Sequence, residues 1–127
     1  MEQTTLTVIT PIKSGETGSL KELLNKIGDD IKDNGYIKFT SLPTTHFARW
    51  VIIPEDRTKG YRPYLAFESN FDGGVDQYLD DFADRAGDGL DQIYSKCEGY
   101  PAEGTKNRKA FKKYFRDHSL KYAARYI

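Results

Sequence analysis

Between Thr45 and Ile53 the sequence THFARWVII alternates as a strand does, yet it is apolar on both sides. Side chains of a strand point to opposite faces in turn, so Phe47, Val51 and Ile53 share one face and Ala48, Trp50 and Ile52 the other. A sheet containing such a strand needs two covers. One layer of helices supplies the first, and a second copy of the chain supplies the other most simply, which makes a homodimer the expected assembly.

The flanking sequence supplies strands and helices for such a sheet. Leu6, Val8 and Ile12 alternate with Thr7, Ile9 and Pro11, which predicts a strand over 5–12. Leu20, Leu23, Leu24, Ile27 and Ile31 recur at three- and four-residue spacing, the stripe of an amphipathic helix. Ser19 and Glu22 have the spacing of a capping box at its start, and Asn34-Gly35 is a stop signal. YIKFTSLPTT reads as extended, with Pro43 unsuited to a central strand. PEDRTKGYR is a polar connection, and PYLAFESNF, from Pro63 to Phe71, is a further strand. Two strands joined by a short polar loop predict an antiparallel hairpin. Val75, Tyr78, Leu79, Phe82 and Ala86 restore a helical stripe, Gly87 and Gly89 interrupt it, and Leu90, Ile93, Tyr94 and Cys97 resume it. After the loop EGYPAEGT, the aromatic and basic residues of 106–117 divide between two sides of a helix. SLKYAARYI reads as a last strand.

The predicted order is β-α-β-β-α-(α)-β. It is an α+β chain of ferredoxin-like plan: an antiparallel sheet, helices on one face, and an extra helix before the last strand. A length of 127 residues fits a single domain over 1–127 with its own core. Hydrophobic residues at 38% and charged residues at 30% exclude a disordered composition. Cys97 is the one cysteine, so no intramolecular disulfide forms, and a reducing cytoplasm is the simplest compartment. No apolar run approaches the roughly 18 residues of a membrane span, and the start does not resemble a leader peptide.

Net charge is zero, but the charges are segregated. Glu68 to Asp91 holds eight acids against one base, and Lys106 to Arg125 holds eight bases against one acid. Such segments either face each other, within or between chains, or present a nucleic-acid contact. The neutral total argues against nucleic acid, whose binders carry excess positive charge. The aromatics of 106–117 argue against it too, since they fall on the helix's apolar side.

The element order, together with the long hairpin HFARWVIIPEDRTKGYRPYLAFESNFDG, resembles the dimeric α/β-barrel superfamily. That superfamily includes cofactor-free and heme-degrading monooxygenases, chlorite dismutases and dye-decolourising peroxidases. The resemblance lies in topology, and no catalytic motif transfers with it. It implies a small-molecule site in a cavity between subunits, with oxygenase- or peroxidase-related chemistry and heme among the cofactors it admits.

The residues suggest where such a site would lie. On the second hairpin strand Tyr64, Ala66, Glu68 and Asn70 share one face, while Leu65, Phe67, Ser69 and Phe71 share the helix-facing one. Arg49 within an apolar strand requires an anion, and Glu68 is an internal partner for a buried ion pair unless a ligand takes that place. His46 has the chemistry of a general base or an iron ligand, or else is a strand-end histidine bonded to backbone. The candidate catalytic groups are therefore His46, Arg49 and Glu68. Trp50, Tyr64, Phe67 and Asn70 are candidate ligand contacts, although Trp50 equally suits the core. NFDGGVD misses the calcium-loop spacing, and SGETGS lacks the end of a phosphate loop. Cys97, His46 and His118 lack zinc spacing, so no metal is expected. The rival to a small-molecule site is a non-catalytic interaction or assembly module, either alone or as one domain of a longer protein.

Overall fold

Burial alternates along the strands, and this alternation divides the sheet into two unlike faces. A computed structural model describes residues 3–29 and 45–120. In it β1 (Gln3–Pro11), β2 (Thr45–Ile53) and β3 (Tyr64–Asp72) form an antiparallel sheet in the order β1-β3-β2. Three helices, α1 (Thr17–Asp29), α2 (Val75–Tyr94) and α3 (Arg108–Asp117), make the fold α+β.

Directly opposed residues of antiparallel strands share a face. Leu6 and Val8 of β1 stand opposite Ser69 and Phe67, while Trp50 and Ile52 of β2 stand opposite Phe67 and Leu65. This face receives the helices. Leu20, Leu23 and Ile27 of α1, Leu79 and Phe82 of α2, and Phe111 and Phe115 of α3 join Leu6, Val8, Leu65 and Phe67 in one core cluster. Aromatic rings tie the layers together: Phe67 lies 5.5 Å from Phe82 and 6.4 Å from Phe115, centroid to centroid. Burying that many large rings is the principal stabilising term of the fold.

Glycine shapes α2 and the loop before α3. α2 runs as one element from Val75 to Tyr94, with Ala86 out of helical conformation at φ −133° and ψ 19°. The expected interruption therefore falls one residue before Gly87. A Cβ on Gly87 would stand 2.9 Å from Thr105 Oγ1, so glycine here lets the loop approach the helix closely. Asn107 caps α3 by accepting a hydrogen bond from the Ala110 amide at 3.2 Å.

Other expectations shift or fall outside the described residues. The capping box does not form: α1 begins at Thr17, and Ser19, already inside the helix, donates to the Glu16 carbonyl and carboxylate. Sequence spacing could not separate that start from one three residues later, because the apolar stripe begins only at Leu20. Ile31, the Asn34-Gly35 stop and the extended segment through Pro43 lie outside the described residues. So does most of the last strand, 121–127. Its first residues do reach the free side of β1: the Leu120 amide donates to Thr7 O at 2.8 Å, and Ser119 bridges Val8.

Candidate functional site

The face of the sheet away from the helices carries most of the candidate site. Register lays its residues out in rows across β1, β3 and β2: Thr5–Asn70–Phe47, Thr7–Glu68–Arg49, Ile9–Ala66–Val51 and Pro11–Tyr64–Ile53. Among the described residues no helix packs on these rows. Phe47, Val51 and Ile53 are accordingly 48%, 42% and 41% exposed. The two-faced apolar pattern of β2 is thus real, and the described residues cover only one of its faces.

Arg49 and Glu68 are the charged row of this face. They oppose each other directly, with Arg49 Nη2 donating to Glu68 Oε1 at 3.1 Å, and their side chains are 56% and 41% exposed. The expected pair therefore exists but is not buried. As it stands it contributes little, because exposed pairs are worth about 0–1 kcal/mol. The Arg49 guanidinium carbon also lies 5.6 Å from the centre of the Phe47 ring, within cation–π range.

His46 sits where the strand is irregular. Thr45 opposes Phe71 and Phe47 opposes Asn70, so His46 is the extra residue of a β-bulge. The bulge turns the imidazole to the end of β3, where Nε2 lies 2.9 Å from Asp72 Oδ1. Its partner is thus a carboxylate rather than backbone. Asp72 carried no recognisable signal, because a bulge cannot be located from residue types alone.

The remaining candidates divide between the two faces. Asn70 and Tyr64 are on the open face, and Asn70 Oδ1 is buried without a hydrogen-bond partner among the described residues. Trp50 and Phe67 are on the helix side. Their rings lie 4.8 Å apart, and Trp50 Nε1 donates to the Tyr94 hydroxyl at 3.2 Å. The open face therefore brings together Arg49, Glu68, Asn70 and Tyr64, with His46 at its margin, and leaves Phe67 in the core with Trp50 partly buried against it.

An apolar groove of about 450 Å³ runs between α1 and the outer side of β2, lined by Leu24, Ile27, Gly28 and residues 45–50. His46 lines it, which invites a test of heme. The fit is poor, since Nε2 is held by Asp72 and offering it to iron would break that pair. No group of three His, Cys, Asp or Glu among the described residues is placed to hold a metal ion. Cys97 is buried, which pushes its thiol pKa up and makes it a poor nucleophile.

A second polar cluster lies at the far end of α2. Asp91 accepts from the Tyr100 hydroxyl at 2.6 Å, the Thr105 amide at 2.9 Å and the Thr105 hydroxyl at 3.0 Å. Burial first, and then the bond to Asp91, push the Tyr100 pKa up. With all these contacts internal, Asp91 fastens the loop before α3 to α2.

The segregated charges also meet within the chain. Arg108 contacts Asp80 at 3.0 Å and Asp84 at 2.6 Å; Lys112 contacts Asp76 at 3.1 Å and Asp80 at 3.3 Å; Arg116 pairs with Asp76. Three bases spaced by four thus lie along three acids spaced by four, and they dock α3 on α2. That use of the basic helix leaves less of its charge for a nucleic acid. No helix among the described residues is long and apolar enough to cross a membrane. Compared with protein families, with curated proteins and with solved structures, the chain matches none.

Proposed function

We propose that the open sheet face is the working surface of this chain and that a second copy covers it. The chain would then act as a homodimeric assembly module of ferredoxin-like plan. The single observation behind this reading is the row of exposed Phe47, Val51 and Ile53 on one face of β2. Large apolar side chains gathered on one face mark an interaction surface, whereas scattered ones need no explanation. Charge argues for a like partner: Arg49 and His46 each have a carboxylate beside them, so the face attracts neither a polyanion nor a polycation. A neutral apolar face matches another of the same kind, and a second copy carries one. The strand order β1-β3-β2 and the approach of Ser119 and Leu120 to β1 support the ferredoxin-like plan.

Val51→Lys tests the reading. Val51 is exposed, so the change leaves helix packing intact and places a charge in the proposed interface. The expected result is a monomer with an unchanged far-ultraviolet spectrum, from a parent that is dimeric. A variant that assembles as the parent does would overturn the proposal.

A second reading has one observation in its favour. The unpartnered Asn70 Oδ1 is an acceptor on the same face as Arg49, Glu68 and Tyr64, and a small molecule with a donor group would satisfy it between two copies. Oxygenase- or peroxidase-related chemistry there rests on the resemblance alone. Adding hemin and recording the Soret band tests the heme form of this reading. A spectrum identical to free hemin is expected, and a shifted, saturable band would reverse the judgement on fit.

A further inference from the structure

We infer that Arg49 and Glu68 form a self-recognition element, each turning to the other's counterpart when two copies meet. This rests on the reading that a second copy covers the open face, and it adds how that copy is recognised. The pair is half-exposed and uses one N–H of the guanidinium and one oxygen of the carboxylate on each other. Arginine has five N–H donors and a carboxylate about four acceptor positions, so both half-exposed groups keep unused capacity.

The surrounding rows make that capacity consequential. On the side toward the hairpin loop, Ile9–Ala66–Val51 and Pro11–Tyr64–Ile53 flank the charged row; on the other side Phe47 stands next to it. A surface closing over these residues removes water from Arg49 and Glu68 as well. Taking charges out of water is costly, and the one bond between Arg49 and Glu68 offsets only part of that cost. A surface that presents a carboxylate to Arg49 and a cation to Glu68 closes here at less cost than one that leaves the pair a single bond.

A second copy presents that pattern. Consider a two-fold axis lying between the two faces and running along the strands, midway between β2 and β3. It sets each Arg49 over the partner's Glu68, and each Glu68 under the partner's Arg49. The same operation sets Val51 over the partner's Ala66, a larger side chain against a smaller one. The arrangement is isologous and closes at two copies. Sheets packed face to face are about 10 Å apart, a gap that two long side chains can bridge. Arginine suits the role better than lysine, because its planar fork can engage two carboxylates at once.

The test is charge reversal with mixing, read by native mass spectrometry and light scattering. Arg49→Glu alone would put four carboxylates at the axis, and Glu68→Arg alone four guanidinium groups. Each single variant is expected to dissociate at least about a hundredfold more readily than the parent. An equimolar mixture is expected to give the heterodimer in excess of either homodimer. The double variant Arg49→Glu with Glu68→Arg is expected to regain the parent's assembly. Heterodimer formation also shows that each single variant is folded; should either fail to fold, Arg49→Gln and Glu68→Gln replace the reversals, each expected to weaken the dimer. A dimeric parent whose reversals assemble unchanged would overturn the exchange and leave the assembly reading intact. A monomeric parent would overturn both.

Discussion

Arg108 Nη1 of α3 stands 3.0 Å from Asp80 Oδ1 of α2, one rung of the charge ladder that holds the two helices together. Lys112 shares the same carboxylate group at 3.3 Å. Asp80→Asn should therefore weaken two contacts at once and lower the melting temperature by a few degrees. Asp88→Asn removes the same charge from an exposed position off the ladder and should be nearly silent. Raising salt from about 0.05 M to about 1 M should narrow the difference between the two variants. Equal melting temperatures at low salt would show that the ladder is ornamental.

Acid should loosen the same contact. Hydrogen bonds from Lys112 and then Arg116 hold the Asp76 carboxyl below its ordinary pKa, and one from Arg108 does the same for Asp80. A carboxylate with a depressed folded-state pKa stabilises the fold above its unfolded value, and that contribution is lost as pH falls through the folded one. Melting temperature should be level near neutrality and fall as pH drops through and below about 3.9, the ordinary aspartate value. The protection of the Arg108–Asp117 amides, corrected for the pH dependence of intrinsic exchange, should fall in that window. Protection of α3 that persists to the lowest pH at which the chain stays folded would contradict the assignment.

Thiol chemistry reports on the core. Cys97 is fully buried, and Thr10 Oγ1 donates to its sulfur at 3.3 Å. Burial pushes its pKa up, so the native thiol is both shielded and protonated at neutral pH. An aromatic disulfide reagent should label it at least about a thousandfold more slowly than in the unfolded chain, through opened states alone. Labelling at comparable rates would mean that the packing of β1 against the end of α2 is wrong.

Gly104 is where the loop before α3 is least tolerant of change. Its φ is +60°, and a Cβ would collide with Asp91 Oδ1. Gly104→Ala combines backbone strain with displacement of the Asp91 carboxylate, and about 2–3 kcal/mol of lost stability is expected. Gly60→Ala is the control: its φ is +72° but nothing lies within 4 Å, so strain alone of about 1 kcal/mol should appear. Equal losses would show that Asp91 yields freely. The readout is denaturant unfolding of both variants beside the parent.

Legibility in the sequence followed the reach of the forces involved. The stripe Leu20, Leu23 and Ile27, the alternation of Leu65, Phe67 and Phe71, and the breaks near Gly87 are local patterns, and the elements fall where they indicate. The charge segregation was visible, and residues 76, 80, 84 and 108, 112, 116 carried its spacing. That these rows meet depends on helix packing, which no local pattern encodes. The candidate site was legible in part. Arg49 finds the carboxylate that a guanidinium on an apolar strand requires, but the face it shares with Glu68 is a register property, as is the bulge that takes His46 to Asp72. The position of Trp50 on the helix side also followed from register, once Phe67 was its neighbour across the strand pair. Ser19 misled because a serine one turn into a helix has the same sequence signature as one at its cap.

Molar mass as a function of concentration tests the central claim most directly. A chain of 14.5 kDa whose open sheet face is covered by a second copy should scatter light as a particle of about twice that mass at micromolar concentration. Dilution should return it toward the single-chain mass. A mass of one chain at every concentration up to the millimolar range would contradict the account, and leave Phe47, Val51 and Ile53 as apolar residues that face water.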